Sequence, residues 1–200
     1  MTIDGDWNQE DFLNAASEFQ LIYLFSKEAV KFTDPLIQLV DTKLTFEKKL
    51  GSPPAVPEIT TYSGGLNQEL EELAFLSGMY SRFYIDKRLE NDEFEKLYKI
   101  WIKKAWESRS ILEASPLQGM VSYAVEGESA AIGLLAVAEK SQGKELGRQL
   151  MKAAEVKAFS LGAKTISVST QQSNTPACRL YESLDYTLID TVFVYHYWKT

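Results

Sequence analysis

The chain has 200 residues, of which 45% are hydrophobic and 24% are charged. This composition is typical of one globular domain or two small ones, and it excludes a disordered chain, a collagen-like repeat and a disulfide scaffold. The formal net charge of −7 leaves no basic signal for nucleic acid or for an anionic membrane. With Cys178 and His196 as its one cysteine and one histidine, the chain lacks the ligands of a Cys/His zinc site, so we expect no metal.

The first fifty residues are predicted to form a small α/β portion. Residues 11–19 look helical, residues 21–25 look like a buried strand, and residues 40–46 alternate like a second strand. Asp34-Pro35 is predicted to start a short helix. Residues 51–65 are rich in proline and glycine, which predicts a linker, because proline removes backbone donors and fixes φ. The predicted organisation is therefore a portion 1–50, a linker 51–65 and a larger domain 66–200.

The larger domain begins with helices and continues mainly with strands. Helices are predicted at 67–78 and 92–106, followed by strands at 111–114, 120–125 and 131–138. A helix at 144–161, a strand at 165–170, a short helix at 175–183 and a strand at 186–198 complete the order. An aromatic and aliphatic stripe in the second helix is interpreted as core: Phe94, Leu97, Tyr98, Trp101 and Ile102. The predicted order is therefore helix, helix, three strands, helix, strand, helix, strand.

The N-terminus lacks the positive and apolar regions of a signal peptide. No apolar run approaches the roughly 18 residues of a membrane span. A single cysteine is typical of reducing compartments. These features predict a cytoplasmic location and no membrane partner.

The most informative segment is the junction between the strand at 131–138 and the helix that follows it. A glycine-bearing turn that opens a helix exposes backbone N–H groups at the positive end of the helix dipole, which suits a phosphate or pyrophosphate. Lys140, Lys144 and Arg148 add positive charge nearby. The alternative is a tight turn with no ligand. The segment matches neither a Walker loop nor a dinucleotide fingerprint.

The run Gln142-Gly143-Lys144-Glu145-Leu146-Gly147 resembles the Gln/Arg-x-x-Gly-x-Gly/Ala motif of the GNAT acetyltransferase superfamily. The segment from Asn174 to Tyr181, reading Asn-Thr-Pro-Ala-Cys-Arg-Leu-Tyr, is similar to the superfamily's next strand–helix unit. This resemblance implies an α/β fold of the α+β type, with a mixed, mostly antiparallel sheet that is flanked by helices and splays where acetyl-CoA enters. It also implies an N-acetyltransferase that uses acetyl-CoA as co-substrate. Glu145 departs from the motif, since it stands where the first glycine is expected.

The resemblance also implies roles for individual residues. The pyrophosphate of acetyl-CoA is expected at the backbone of Gln142, Gly143, Lys144, Glu145, Leu146 and Gly147. The pantetheine arm and the thioester carbonyl are expected along the backbone of Leu135, Ala136 and Val137. Asn174 is expected to serve the cofactor and Tyr181 to protonate the departing thiolate, because an ordinary tyrosine keeps its proton at pH 7. A tyrosine packed in the core is the structural alternative for Tyr181.

Three segments narrow the resemblance to the dTDP-fucosamine acetyltransferase group: Ile132-Gly133-Leu134-Leu135-Ala136, the run 170–177, and the ending Tyr195-His196-Tyr197-Trp198. This similarity implies an acceptor that is a nucleotide-linked 4-amino-4,6-dideoxyhexose. Two alternatives stay open: the same chemistry on another amine (a peptide, a polyamine or another small molecule), and a CoA-binding module without turnover. Monomer and homodimer also stay open.

The acceptor side of the site rests on fewer signals. Asp41 is the candidate base, accepting the amine proton through a water, and Glu113 and Glu126 are rival bases. Arg82 and Tyr80 are the candidate residues for binding the acceptor. Arg82 is the candidate ligand for a nucleotide diphosphate, with a surface salt bridge as the alternative. His196 lies within the last strand, where a structural role is favoured over a catalytic one.

Overall fold

The computed structural model describes residues 1–3, 7–51 and 58–199. Within these ranges the strands are β1 (Thr2–Ile3), β2 (Leu21–Ser26), β3 (Ile37–Lys49), β4 (Ile59–Thr61), β5 (Ile111–Ala114), β6 (Gly119–Glu126), β7 (Ser129–Val137), β8 (Thr165–Gln171) and β9 (Thr187–Trp198). The α-helices are α1 (Gln9–Ala15), α2 (Gln68–Ser77), α3 (Arg82–Ile85), α4 (Glu93–Glu107), α5 (Leu146–Ser160) and α6 (Thr175–Glu182). No helix in these ranges combines the length and the apolar character needed to cross a membrane.

The strands form one mixed sheet in the order β1-β2-β9-β3-β8-β7-β6-β5-β4. Neighbouring strands are antiparallel except for β1 with β2 and β7 with β8, which are parallel. Helices cover both faces, because successive residues of a strand point to opposite sides. Met120 of β6 packs with α2 and α4, whereas its neighbour Val121 packs with α5. The predicted mixed, mostly antiparallel α/β fold is confirmed.

Helix α5 illustrates how the sequence pattern positions an element. Leu150, Ala154 and Ala158 are fully buried against the sheet, as their helical spacing predicts. The helix ends before Gly162, whose φ of +95° favours glycine. This packing holds the N-terminus of α5 beside the end of β7.

The sheet opens between β7 and β8. Their parallel pairing runs from Ser129 opposite Thr165 to Ile132 opposite Val168. Beyond those residues β7 continues to Val137 and β8 to Gln171 without pairing to each other, while β7 stays paired with β6 as far as Val137. One side of the β7 backbone is therefore left open along residues 133–137.

The N-terminal strands belong to the same sheet as the rest of the chain. β3 lies between β8 and β9 and pairs with both, and β2 pairs with the other side of β9. The division into 1–50, a linker 51–65 and 66–200 stays a prediction, and residues 52–57 of that linker lie outside the described residues. Residues 59–61 of the same predicted linker form β4, which pairs with β5.

The helix predicted to start at Asp34-Pro35 is wrong. The Asp34 side chain accepts a hydrogen bond from the Leu36 amide at 2.8 Å, and its carbonyl accepts one from the Ile37 amide at 3.2 Å. These bonds close a turn directly before β3, so the chain reverses without forming a helix. Sequence patterns also missed β1 and α3, which are only two and four residues long.

Candidate active site

Two adjoining cavities occupy the place where β7 and β8 separate. We call the cavity of about 450 Å³ between the diverging strands the splay cavity; Asp41, Arg82 and Tyr181 line it. We call the cavity of about 750 Å³ beside the turn before α5 the turn cavity. Ser77, Leu135, Asn174 and Ala177 line both cavities, so the two are neighbouring parts of one cleft.

The turn before α5 leaves the backbone N–H groups at the start of the helix without a side-chain cap. Gly143 has φ +74° and Glu145 φ +61°, so the chain turns sharply into the helix. No side chain caps α5, and the N–H groups of its first turn therefore lack a side-chain acceptor. At Gly147 a Cβ atom would lie 3.4 Å from Leu180, which is ordinary van der Waals contact, so the available space does not itself require glycine there. The arrangement suits an anionic group at the positive end of the helix dipole.

The residues predicted to hold the cofactor fall mostly on one surface. The turn cavity is lined by Leu135, Ala136, Val137, Gln142, Gly143, Glu145, Leu146, Gly147 and Asn174. Lys144 lies in the same turn but is exposed and is not among the residues that line the cavity. Lys140 is exposed as well, whereas Arg148 lines the turn cavity.

The side chain of Glu145 points along the helix. It is 73% exposed, and its Oε2 accepts a hydrogen bond from Arg148 Nε at 2.9 Å. Arg148 also donates to the carbonyl and the hydroxyl of Ser183, at 3.2 and 2.8 Å. The carboxylate therefore stays beside the turn cavity while leaving the amides of the turn uncovered.

Helix α6 brings Asn174 and Tyr181 to the cleft. Asn174 caps the helix by accepting from the Ala177 amide at 3.3 Å and donates to Thr170 Oγ1 at 3.1 Å, which ties α6 to the end of β8. Tyr181 is only 4% exposed, and its ring packs 5.7 Å from that of Phe46. Burial raises the pKa of Tyr181, so the hydroxyl keeps its proton at neutral pH.

Asp41 lies directly after an irregularity in the pairing of β3 with β9, where the register shifts between Leu39 and Asp41. Its side chain lines the splay cavity and is 9% exposed. Burial raises the pKa of Asp41 to about 6, although the charge of Arg82 and a hydrogen bond with Gln171 oppose the rise. A carboxylate with such a pKa takes up and releases a proton near neutral pH. The rival bases Glu113 and Glu126 line neither cavity.

Arg82 is the first residue of α3. Its guanidinium lies over three aromatic rings. The distances from its Cζ to the ring centres of Phe83, Tyr23 and Phe25 are 4.4, 5.2 and 5.9 Å. Its Nε is buried and has no hydrogen-bond partner among the residues that the structure describes. Burial lowers the pKa of Arg82, and Asp41 opposes that effect. A guanidinium held this way retains donor capacity for an anion in the splay cavity.

Tyr80 and Trp101 lie at positions that differ from those predicted from the sequence. Tyr80, predicted to bind acceptor together with Arg82, lines the turn cavity instead of the splay cavity. Trp101 was interpreted as core but is 41% exposed and lines the splay cavity, so this part of the interpretation is wrong. Tyr98 and Ile102 of the same helix, α4, are buried, so the predicted stripe is only partly in the core. Lys43 also lines the splay cavity, and no sequence signal marked it.

His196 is fully buried beneath α3. Its Nδ1 lies 2.6 Å from Asp86 Oδ2, and Trp198 Nε1 donates to the same oxygen at 3.0 Å. The Arg88 side chain donates two further hydrogen bonds to Asp86, at 2.7 and 2.9 Å. The hydrogen bonds from Arg88, His196 and Trp198 together hold the pKa of Asp86 well below its usual range. His196 lines neither cavity, and the network fastens the end of α3 to β9. No cluster of metal-ligating side chains occurs in the described part of the chain.

Comparison with known proteins identifies the family. Residues 69–186 match the acetyltransferase (GNAT) family, which is more than half of the chain. The chain belongs to the GNAT acetyltransferases. The predicted membership is confirmed. Members of this family use acetyl-CoA and act on small-molecule acceptors.

Individual relatives are distant. The spore coat polysaccharide biosynthesis protein SpsD from Bacillus subtilis (strain 168) is 24% identical over 172 residues, covering 84% of this chain and 58% of SpsD. Among solved structures, a GCN5-related N-acetyltransferase from Sphaerobacter thermophilus matches with a TM-score of 0.58 at 14% identity, over 94% of this chain and 63% of that one. A Bacillus subtilis acetyltransferase solved in complex with CoA matches with a TM-score of 0.50 at 18% identity, over 72% and 99% of the two chains. The chain thus spans less than two thirds of the first two relatives, and the structural matches establish the fold.

Proposed function

We propose that this GNAT protein transfers an acetyl group from acetyl-CoA to the amino group of a nucleotide-linked amino sugar of the dTDP-4-amino-4,6-dideoxyhexose type. The observation that carries the proposal is the presence of Asp41, Arg82 and Tyr181 around one splay cavity, adjoining the uncovered amides at the start of α5. Under this proposal Asp41 is the base, Arg82 is the ligand for an anionic group and Tyr181 is the acid. The name of SpsD, a polysaccharide biosynthesis protein, favours a sugar acceptor.

The residues at the start of α5 and along the open part of β7 offer the groups that CoA would need. The amides at the start of α5 and the side chain of Arg148 would hold the phosphates. The open backbone at Leu135, Ala136 and Val137 offers hydrogen bonds to the pantetheine amides, since that side of β7 has no partner strand there. Acetyl-CoA supplies an acyl thioester, whose carbonyl carbon is the electrophile. Backbone N–H groups of β7 would stabilise the negative charge that develops on the carbonyl oxygen.

The acceptor amine attacks that carbon, forming the C–N bond while the C–S bond breaks. One proton leaves the amine and one must reach the sulfur. Asp41 accepts the first, through a water, because its pKa of about 6 leaves it mainly ionised at pH 7 to 8. Tyr181 donates the second to the thiolate, and its raised pKa ensures that it carries the proton beforehand. To complete the cycle, Asp41 releases its proton to solvent and Tyr181 takes one proton from solvent.

The charge of the splay cavity supports an anionic acceptor. Arg82 and Lys43 line it together, and the exposed ring of Trp101 lies at the same cavity. A guanidinium binds a diphosphate through paired hydrogen bonds, and a flat aromatic ring offers a stacking surface for a base or sugar. A polyamine would place more positive charge beside Arg82, which disfavours that acceptor class.

The proposal is tested by measuring CoA release from acetyl-CoA with three acceptors: dTDP-4-amino-4,6-dideoxygalactose, spermidine and a short peptide with a free N-terminus. We expect release with the sugar nucleotide well above the background of acetyl-CoA alone. Release with spermidine or the peptide but not with the sugar nucleotide would contradict the proposed acceptor. Absence of release with every amine, despite CoA binding, would contradict turnover.

A further inference from the structure

Glu145 occupies a backbone position that disfavours its own side chain. Its φ of +61° lies in the left-handed region, which glycine adopts without strain and other residues adopt rarely. The residue is also the N-cap of α5 but makes no capping hydrogen bond. Neither local geometry nor capping therefore accounts for a glutamate here, and its one side-chain hydrogen bond in the described structure is to Arg148.

Arg148 is held in place independently of Glu145. Its two terminal nitrogens bind the carbonyl and hydroxyl of Ser183 at the end of α6, and Nε is the atom that meets Glu145. Because α6 anchors the guanidinium, its Nε remains beside the turn cavity whether or not Glu145 stays bound. The Glu145 side chain is 73% exposed and makes no other hydrogen bond to the residues that the structure describes, so this carboxylate is the exchangeable partner.

We propose that Glu145 competes with the phosphate groups of the acyl donor for Arg148, so that donor binding displaces the carboxylate from the guanidinium. The inference rests on the proposed function, which puts CoA in the turn cavity. Both side chains line that cavity, and a diphosphate, like a carboxylate, accepts charge-assisted hydrogen bonds from a guanidinium while carrying about two negative charges in place of one. Displacement is inexpensive, because an exposed ion pair contributes little to stability.

Competition has a consequence for affinity. In the free protein Glu145 compensates the charge of Arg148, and in the complex it adds a negative charge near the bound phosphates. Glu145 thereby weakens binding of both the donor and the CoA product, which speeds product release. Removing its charge should tighten binding through Arg148, and salt should reduce the gain, since the groups are exposed.

The experiment is titration calorimetry of the whole protein with CoA, at low and at high salt. The variants are Glu145→Gln, which removes the charge and keeps the size, and Glu139→Gln as the matched control. Glu139 is an exposed glutamate before the same turn and does not contact Arg148. Arg148→Ala and the double variant Arg148→Ala/Glu145→Gln complete a cycle, with Arg148→Gln as a second replacement if Arg148→Ala unfolds.

We expect Glu145→Gln to lower the Kd for CoA about two- to fivefold at low salt, the range that an exposed charge pair supports. Glu139→Gln should change it less, Arg148→Ala should weaken binding, and in the Arg148→Ala background the Glu145→Gln gain should vanish. Unchanged or weaker binding by Glu145→Gln would overturn the inference. So would an equal gain in Glu139→Gln, or a gain that persists without Arg148. Absence of CoA binding by the unsubstituted protein would contradict the proposed function as well.

Discussion

Replacement of Asp41 by Asn separates the cost of a buried carboxylate from its use in catalysis. Asp41 is 9% exposed, and burial raises its pKa from the usual 3.8 to about 6. This difference corresponds to about 3 kcal/mol that disfavours the ionised carboxylate in the folded state, at about 1.4 kcal/mol for each pKa unit. Asn has nearly the same shape and carries no charge, so Asp41→Asn removes this penalty.

The sign of the pH dependence follows from proton linkage. Between pH 4 and 6 the folded protein holds a proton on Asp41 that the unfolded chain has released, so the stability of the unsubstituted protein falls as pH rises through this window. The stability of Asp41→Asn should not show this decrease, because Asn does not ionise. We expect its free energy of unfolding to exceed that of the unsubstituted protein by about 1–3 kcal/mol at pH 8, and the difference to shrink toward zero near pH 4.

The Asp41→Asn substitution should also remove the general base of the reaction. A positioned general base raises the rate about 10²- to 10⁴-fold, so we expect kcat/KM to decrease by a factor in that range. In the unsubstituted protein kcat/KM should rise with pH through about 6, as Asp41 ionises, and this limb should be absent in Asp41→Asn.

Urea unfolding between pH 4 and 8 and CoA release over the same range measure both effects. Glu113→Gln is the matched control: Glu113 was a rival base, lines neither cavity, and binds the Leu117 amide with an oxygen that Gln retains. It should leave activity unchanged. An Asp41→Asn variant that is no more stable at pH 8 would contradict the cost of burying the Asp41 carboxylate, and one that keeps full activity would contradict its role as the base.

Three further predictions concern the acid, the acceptor ligand and the core. Tyr181→Phe should lower kcat tenfold or more, since a placed acid is worth about 10²- to 10⁴-fold, and leave CoA affinity in calorimetry unchanged; an unchanged kcat would remove Tyr181 from the mechanism. Arg82→Ala should raise the KM for a sugar nucleotide about tenfold or more, as loss of a charge-assisted hydrogen bond implies, without changing CoA binding; equal weakening of both would contradict its place on the acceptor side. Leu150→Ala, at a fully buried position, should lower the free energy of unfolding in urea by about 2–5 kcal/mol, whereas a loss below 1 kcal/mol would contradict its role in the core.

Regular periodicity predicted most elements of the fold. The strand at 111–114 was predicted with its observed bounds, and the helix at 144–161 and the strand at 165–170 differ from α5 and β8 by one or two residues at an end. These elements bury one clear apolar face, which a pattern in sequence registers. The turn at Asp34-Pro35 was mistaken for a helix start because Asp is common in both, and the side chain here bonds two residues ahead.

The site was harder to predict, because its two halves come from distant parts of the chain. The motif at 142–147 and the run to Tyr181 are local signals, and the structure brings their residues to one cleft. Asp41 meets that cleft only because β3 inserts between β8 and β9, a long-range pairing that no local pattern specifies. The helical spacing of Trp101 suited a core position equally well, and its exposure depends on how α4 sits over the sheet.

We propose that one cleft binds both the acetyl donor and the sugar nucleotide whose amine receives the acetyl group. The most direct measurement is mass spectrometry of dTDP-4-amino-4,6-dideoxygalactose after incubation with the protein and acetyl-CoA. We expect a product with one added acetyl group on the sugar nitrogen, formed in equal amount with free CoA and strongly reduced in Asp41→Asn and Tyr181→Phe. A sugar nucleotide recovered unchanged, while the same protein binds CoA, would contradict the proposal.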